Sequence, residues 1–467
     1  MAHGHMIPML DMAKLFASRG FKTTIISTSG FSDTITTAQQ SGFNIGSRIM
    51  KFPPEGSELP DHIVTVDQAT SDDLTTKFIK ALPLLQEPFE KLIQELNPNC
   101  LVSDMFLPWT TDSAAKFGIP RLVFHGTSYF ALCVQEEMKR QKPFKNISSD
   151  TEPFVLTNLP HELTFVRTQL APSQLHENDD DGFTKLFNQV RDSDWRSYGV
   201  LVNSFYELEP VYADYYKKVF GRRAWNIGPL LLCNDIGAEK KGQRGKKSAI
   251  DENECLAWLD SKRPNSVVYV CFGSLANFTR TQLHEIAIGL EESGQDFIWV
   301  VRKGKKEEEN EDWLPEGFEE RTTGKGLIIR GWAPQVMILD HEAIGAFVTH
   351  CGWNSTLEGI CAGVSMVTWP IFAEQFYNEK LVTEVLRIGV SVGSKKWDRV
   401  ASEGVSSEAV AKAVGRVMVG EEALELRKRA NYYKEMARKA IEEGGSSYIC
   451  LNDLRKDLSA YSSQQEH

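Results

Sequence analysis

The chain contains no apolar run approaching the roughly 20 residues that a membrane-crossing helix requires, so a membrane partner is not expected. Its eight cysteines (Cys100, Cys133, Cys233, Cys255, Cys271, Cys351, Cys361 and Cys450) are scattered, with no C-x-x-C pair. That spacing argues against a disulfide framework and a zinc site, and points to a reducing, cytoplasmic compartment. Positive charge is also short: 52 Lys and Arg face 63 Asp and Glu, a net of -11. A nucleic-acid binder would show a basic stripe, so that partner is not expected either. The first residues, MAHGHMIP, lack the charged-then-apolar layout of a secretory signal. Several catalytic signatures are missing as well: G-x-G-x-x-G after a strand, the P-loop, the G-x-S-x-G elbow and H-E-x-x-H. Gly245-Lys246-Lys247-Ser248 mimics the tail of a P-loop, but no strand precedes it.

What is present is an ordinary globular composition of 42% hydrophobic and 25% charged residues in 467, a length that suggests two or three domains. Short β-rich runs alternate with helical stretches, the pattern of parallel sheets built from βαβ units. Strands are expected at 21–26, 100–103, 121–124 and 199–203, then at 267–272, 297–301, 326–330, 345–349 and 366–369. Between the two sets, 234–250 (NDIGAEKKGQRGKKSAI) is polar and Gly-bearing, which reads as a linker. The charged inserts at 303–312 and 179–181 read as solvated loops. Thr279 and Gln282 form a T-x-x-Q capping box, with Phe278 and Leu283 as its hydrophobic staple. Residues 421–443 read as a long charged helix, with one more helix possible from 446. Asp192-Ser193-Asp194 has the spacing of a metal-binding Asp-x-Asp, but its helical context before a strand reads as surface helix, and no metal site is expected.

The densest segment runs from Trp332 to Gln375. Its apolar strand 345–349 leads into His350-Cys351-Gly352-Trp353-Asn354-Ser355-Thr356 and then a helix. Gly352 permits close backbone approach, and Asn354 and Ser355 are N-cap residues at a helix start, which together make an anion site or an ordinary capped turn. Three features favour a ligand. Trp332 follows a strand end and can stack on a flat base; Glu358, one turn after Asn354, can accept from ribose hydroxyls. The strand 366–369 delivers Glu374 and Gln375, a carboxylate and an amide suited to sugar hydroxyls. At the other end of the chain, His3 and His5 open an amphipathic helix, and Asp104 follows the strand 100–103. If the strands ending near Ile26 and Ser103 are neighbours, these groups converge.

With GHMIP, LVSDMF, CFGS, WLPEGFEERT and EGGSS spread along the chain, and a 44-residue box from Trp332 to Gln375 containing HCGWNSTLEG and AEQ, the sequence resembles the plant family 1 UDP-dependent glycosyltransferases over essentially its whole length. The resemblance implies an α/β, GT-B architecture of two Rossmann-like, doubly wound domains facing across a cleft. The domains would be an acceptor domain at 1–233, a linker at 234–250, a UDP-sugar domain at 251–445 and a C-terminal helix at 446–467 returning to the first domain. It implies that Trp332 stacks on uracil, the Ala333 backbone reads its edge, and Gln335 and Glu358 contact ribose. Ser274, His350, Gly352, Asn354 and Ser355 would hold the diphosphate, while Trp353, Glu374 and Gln375 bind the sugar, the terminal Gln pointing to glucose. His5 would be the base, with His3 the alternative, and Asp104 its partner.

The activity so implied is inverting transfer of glucose from UDP-glucose to a hydroxyl of a small plant metabolite, without cofactor or metal, by a cytoplasmic monomer. Phe106, Trp109, Phe124, His125, Tyr129 and Phe130 supply aromatic surface for a flavonoid or other phenolic acceptor, although core packing explains them equally, and triterpenoid acceptors stay open. Two departures from the family pattern stand out. No strand precedes GHMIP, which leaves open a shortened record or a sheet lacking a strand, and with it a protein that binds UDP-sugar without turnover. Ser365 stands where the box usually has Pro, a change expected to alter loop stiffness. A nicotinamide oxidoreductase is the remaining reading of a doubly wound sheet, disfavoured by the missing G-x-G-x-x-G.

Overall fold

The structure, a computed structural model, describes residues 2–69, 71–176, 182–233, 244–302, 313–401 and 404–465. The expected loops at 179–181 and 303–312 and residues 234–243 of the linker lie outside the described residues. Sixteen strands are present among the described residues. In chain order they are β1 (Thr23–Thr28), β2 (Ile45–Met50), β3 (Leu101–Asp104), β4 (Arg121–Phe124), β5 (Phe154–Leu156), β6 (Leu163–Phe165), β7 (Gly199–Val202) and β8 (Ala224–Asn226). There follow β9 (Val267–Cys271), β10 (Asn277–Phe278), β11 (Asp296–Val301), β12 (Gly326–Arg330), β13 (Ile344–Thr349), β14 (Ser365–Thr368), β15 (Gly389–Ser391) and β16 (Val400–Ala401).

The chain divides into two compact units. The first comprises Met1–Tyr129, Pro172–Asn234 and Lys439–His467; the second comprises Phe130–Ala171 and Asp235–Arg438. Thus 130–171, expected within the first domain, gathers with the second unit. Its β5–β6 hairpin supplies the reason: Phe165 packs edge-on against Tyr377, and the Trp397 N–H donates to the Thr168 carbonyl at 2.7 Å. The C-terminal segment joins the first unit from Lys439, earlier than residue 446. There Leu451 and Leu454 of the helix Ser446–Gln465 share a core with Leu122, Phe124, Leu201 and Trp225.

In the second unit a six-stranded parallel sheet runs in the order β12-β11-β9-β13-β14-β15. β9, β13 and β14 are buried along their whole length, as strands covered on both faces must be. Val268, Val270, Trp299, Val348 and Val367 form the centre of its core. The order turns back between β9 and β13, and such a switch point leaves a crevice beyond the strands' C-terminal ends. The Thr279 hydroxyl caps the helix Arg280–Glu292 by accepting the Gln282 N–H, as the capping box predicts. The return half of the box is absent, because the Gln282 side chain instead grips both backbone groups of Val405 at 2.8 Å. Ser365 is no loop residue: it opens β14, fully buried, and its hydroxyl has no hydrogen-bond partner among the described residues.

In the first unit the parallel strands form two separate sheets, β3-β4-β7-β8 and the pair β1-β2. The strands ending near Ile26 and Ser103 are therefore not hydrogen-bonded neighbours, contrary to the condition placed on convergence of His5 and Asp104. Core contacts bridge the gap instead: Ile26 packs against the cluster to which Leu101 and Trp109 belong.

Candidate active site

In the first unit the helix His3–Ser18 starts with no side-chain cap, and His5 lies on its first turn. Its imidazole Nδ1 and Asp104 Oδ2 are 2.6 Å apart, across 99 residues of sequence. Asp104 is the last residue of β3, and its other oxygen accepts the Phe106 N–H at 2.8 Å. Burial by itself would raise this carboxyl, but the facing imidazole and the Phe106 N–H outweigh it and hold it below the ordinary carboxylate value. An ionised Asp104 accepts a hydrogen bond from Nδ1–H, which leaves the lone pair of the neutral imidazole on Nε2. A Cβ on Gly126, whose φ is +70°, would touch the His5 ring at 3.8 Å, so this turn packs directly on the imidazole. His3 goes elsewhere, with Nδ1 3.5 Å from Asp67 and its ring edge-on to Phe31.

Beneath Asp104 lies Arg121, 2% exposed. Its Nε donates to Ser103 Oγ at 2.7 Å, Nη1 to Thr111 Oγ1 at 2.7 Å, and Nη2 to the carbonyls of Asp104 and Leu107 at 3.3 and 3.5 Å. The rigid guanidinium fork thus ties the end of β3 to the turn after it. Burial brings this guanidinium down to about 10, which still leaves it charged at neutral pH.

In the second unit the crevice beyond β9 and β13 carries the residues of the dense segment. His350 follows β13, and its ring lies between two glycines: a Cβ on Gly273 would come within 2.6 Å of it and one on Gly352 within 2.5 Å. Burial between them lowers the imidazole to about 4, so His350 is neutral at physiological pH. Cys351, next in the chain, holds a left-handed φ of +64°, a strained state for a side chain with a Cβ that is typical of ligand-binding turns. The turn is fastened by the Asn378 amide, which donates to the Cys351 carbonyl at 2.8 Å. Gly352 is the N-cap of the helix Trp353–Ala362, and the first helical hydrogen bond runs from Thr356 N to the Gly352 carbonyl. The N–H groups of that first turn sit at the positive end of the helix dipole. Beside them Gln335 Nε2 donates to Ser355 Oγ at 3.0 Å and to Glu358 Oε2 at 2.6 Å, while the Tyr269 hydroxyl donates to Gln335 Oε1 at 3.3 Å.

A neutral donor array at a helix start, with an indole and a carboxylate beside it, fits a nucleotide diphosphate better than a metal or a redox cofactor. A family model described as UDP-glucoronosyl and UDP-glucosyl transferase matches residues 217–424. Among curated proteins, the chain is 63% identical to a scopoletin glucosyltransferase of Nicotiana tabacum, over 99% of this chain and 97% of that protein. The chain belongs to the plant family 1 UDP-dependent glycosyltransferases. It is also 55% identical to an anthocyanin 3'-O-beta-glucosyltransferase of Gentiana triflora, over 99% and 97% of the two chains. Among solved structures, Glycyrrhiza uralensis UGT73P12 complexed with glycyrrhetinic acid 3-O-monoglucuronide matches with a TM-score of 0.91 and 41% identity, covering 100% of this chain and 95% of that one. Medicago truncatula UGT71G1 complexed with UDP-glucose matches with a TM-score of 0.80 and 26% identity, covering 97% and 96%. The two doubly wound units of this glycosyltransferase are those of the GT-B class.

The glycosyltransferase departs from the sequence-based expectations at several residues. Asn354 and Ser355 do not cap their helix by side chain; Gly352 occupies the N-cap, and Ser355 Oγ is taken up with Gln335. Trp353 is 2% exposed, so its indole is core and only its backbone belongs to the first turn. Gln375 is 3% exposed, and its amide oxygen accepts the N–H groups of Ile371 and Phe372 at 2.9 Å, which leaves only the amide nitrogen for a sugar. Glu374, preceded by Ala373 at a φ of +55°, is partly exposed. Ala333 is buried, its carbonyl accepting the Gln335 N–H at 2.9 Å, and Ser274 lies partly exposed just beyond β9.

Of the six aromatic positions, Trp109, Phe124, Tyr129 and Phe130 are buried in the core and His125 is paired with Asp194 at 3.2 Å; the Phe106 ring stands beside the His5 imidazole, 5.4 Å between centroids. Phe187 completes that wall, 5.8 Å from Phe106; no local signal marks it, because it lies on a helix 81 positions away. Asp194 is on the expected helix but is not a surface residue, since it binds Arg222 at 2.6 Å as well as His125. No group of three or more His, Cys, Asp or Glu poised for a metal occurs among the described residues, and no described helix is long and apolar enough to cross a membrane.

Sequence reasoning also misses Arg244. It comes from the linker and pairs with Glu358, where the 44-residue box has no Lys or Arg of its own.

Proposed function

We propose that this glycosyltransferase moves glucose from UDP-glucose to a hydroxyl of a small phenolic, with inversion at the anomeric carbon. The observation that carries the reading is the His5–Asp104 pair at 2.6 Å. His5 Nε2 takes the acceptor's hydroxyl proton as that oxygen attacks the anomeric carbon; the new C–O bond forms while the bond to the diphosphate oxygen breaks, and UDP leaves with the electron pair. Asp104 fixes the tautomer and stabilises the imidazolium, as the acid does in hydrolytic triads. General-base help of this kind contributes roughly 10²- to 10⁴-fold.

In the donor unit, Trp332 would stack on the uracil, the Ala333 backbone would read its edge, and Glu358 and Gln335 would hold the ribose. The charge developing on UDP would be met by Ser274, neutral His350 and the N–H groups from Gly352 to Ser355, and this needs neither metal nor cofactor. Glu374 and the Gln375 amide nitrogen would bind the glucose hydroxyls. The Phe106–Phe187 wall beside His5 suits a flat ring, and the tobacco and gentian relatives, named for scopoletin and anthocyanin, support a phenolic. Triterpenoids are the second reading, favoured by the glycyrrhetinic acid glucuronide held by the 41% identical neighbour. A monomer working in the cytoplasm fits the eight free thiols.

The deciding experiment is an acceptor panel of coumarins, flavonoids and triterpenoids with UDP-glucose, read by mass spectrometry. A glucosylated phenolic as best product sustains the reading. Preference for a triterpenoid, or binding of UDP-glucose without any product, rejects it.

A further inference from the structure

Residues 244–249 run along the proposed base-and-ribose side of the donor site. The Ala249 N–H donates to the Trp332 carbonyl at 2.8 Å, and a Cβ on Gly331 would meet the Ala249 Cβ at 2.8 Å. Gly245, at a φ of +99°, lies so close to the Trp332 indole that any side chain there would overlap it. Beside it the Arg244 guanidinium pairs with Glu358 Oε1, while Gln335 holds Oε2. The two charged side chains are only 17% and 6% exposed, so water and salt screen the pair weakly. Both oxygens of the carboxylate proposed to receive the ribose are thus engaged by the chain itself.

We propose that Arg244 sets the affinity for the UDP-sugar by competing with the ribose for Glu358. A ribose diol offers two neutral hydroxyl donors; the guanidinium offers a charge-assisted fork, the stronger partner for a carboxylate. For the diol to bind in the assigned way, the Arg244 contact to Oε1 must loosen, and the free energy of that loosening is subtracted from nucleotide binding. Gly245 gives the backbone the freedom that the displacement needs. The cation missing from the 44-residue box is thereby present at the site, but on the carboxylate rather than on the diphosphate. This inference rests on the assignment of Glu358 to the ribose.

The test is calorimetric titration of UDP into the full chain and into Arg244→Gln, Glu358→Gln and the double variant, with thermal midpoints confirming that each is folded. Arg244→Gln is expected to tighten UDP by roughly 3- to 10-fold, with KM for UDP-glucose falling in step and kcat kept, and the gain should vanish in the Glu358→Gln background. Unchanged or weaker UDP binding in Arg244→Gln, with Glu358→Gln itself weakened, overturns the competition while leaving the ribose assignment standing. UDP binding unaffected by Glu358→Gln removes the ribose assignment, and the competition with it.

Discussion

The two halves of the proposed site are built in opposite ways. The donor half is local: from Trp332 to Gln375 the groups arrive in one stretch, from a strand end, a helix start and the next strand end. The half that holds the base is assembled over long range, with His5 on the first helix and Asp104 99 positions later at the end of β3. Toward the diphosphate the donor half would offer neutral groups, with His350 pushed to about 4 by burial; the other half depends on a charged Asp104 facing an imidazole. A contiguous segment can carry binding, whereas the proposed proton transfer would depend on tertiary contact between distant segments. Variants that strike one half should therefore spare the other.

The largest effect is expected from His5→Ala, which should lower turnover at least about 100-fold while UDP affinity by calorimetry stays near that of the parent. Near-normal turnover would erase the division between the halves. Next, Asp104→Asn should cost about 10- to 100-fold in kcat, and it should also shift the pH profile. A carboxylate beside an imidazole favours the imidazolium, so its loss lowers the pKa of His5 and moves the acid limb of kcat/KM to lower pH. An unmoved limb would deny Asp104 its electrostatic role.

From the donor half, Gly352→Ala should displace the His350 ring and raise KM for UDP-glucose roughly tenfold, about 1.4 kcal/mol, with less change in kcat; a reversed pattern, kcat falling and KM held, would count against a pure binding role. Smallest should be Ser365→Ala. Its hydroxyl is buried without a partner among the described residues, and removing it should stabilise the fold by about 1 kcal/mol in denaturant titration, with no change in either half's kinetics.

The neutrality of His350 adds a test by pH. Its folded value near 4 lies below the 6.5 of a free imidazole, so the folded state resists a proton that the unfolded chain accepts. Its contribution to stability is full above about 6.5 and is lost as pH falls toward 4. UDP-glucose affinity should accordingly be flat between about pH 6 and 8, since the imidazole proposed to meet the diphosphate stays uncharged across that window. A rise in affinity on acidification within it would mean that His350 binds as a cation.

Much of the fold is legible in the order of residues. The strands β9, β11, β13 and β14 are plain because a strand covered on both faces must be apolar throughout, and β12, half-buried at the sheet edge, still carries an apolar run. β2, β8 and β15 are not, being short or, in β2, largely open to solvent, which leaves no such run. For the base, His5 is preferred to His3 only by resemblance, and what separates them is their partners, Asp104 for one and Asp67 for the other. The aromatic positions that read as acceptor surface are mostly core, because hydrophobicity in a sequence reports burial without saying what the side chain is buried against.

The sequence alone determined the alternation of strands and helices, the position of the donor segment and the set of groups it could offer, since these follow from local periodicity and residue chemistry. The tertiary structure decided what those groups are packed and bonded against. It buried Trp353, tied Gln375 to its own backbone, set Arg121 under Asp104 and brought Arg244 from the linker onto Glu358. The physical reason is that hydrogen bonds and ion pairs depend on distance in space, and a folded chain joins positions 114 residues apart as readily as neighbours.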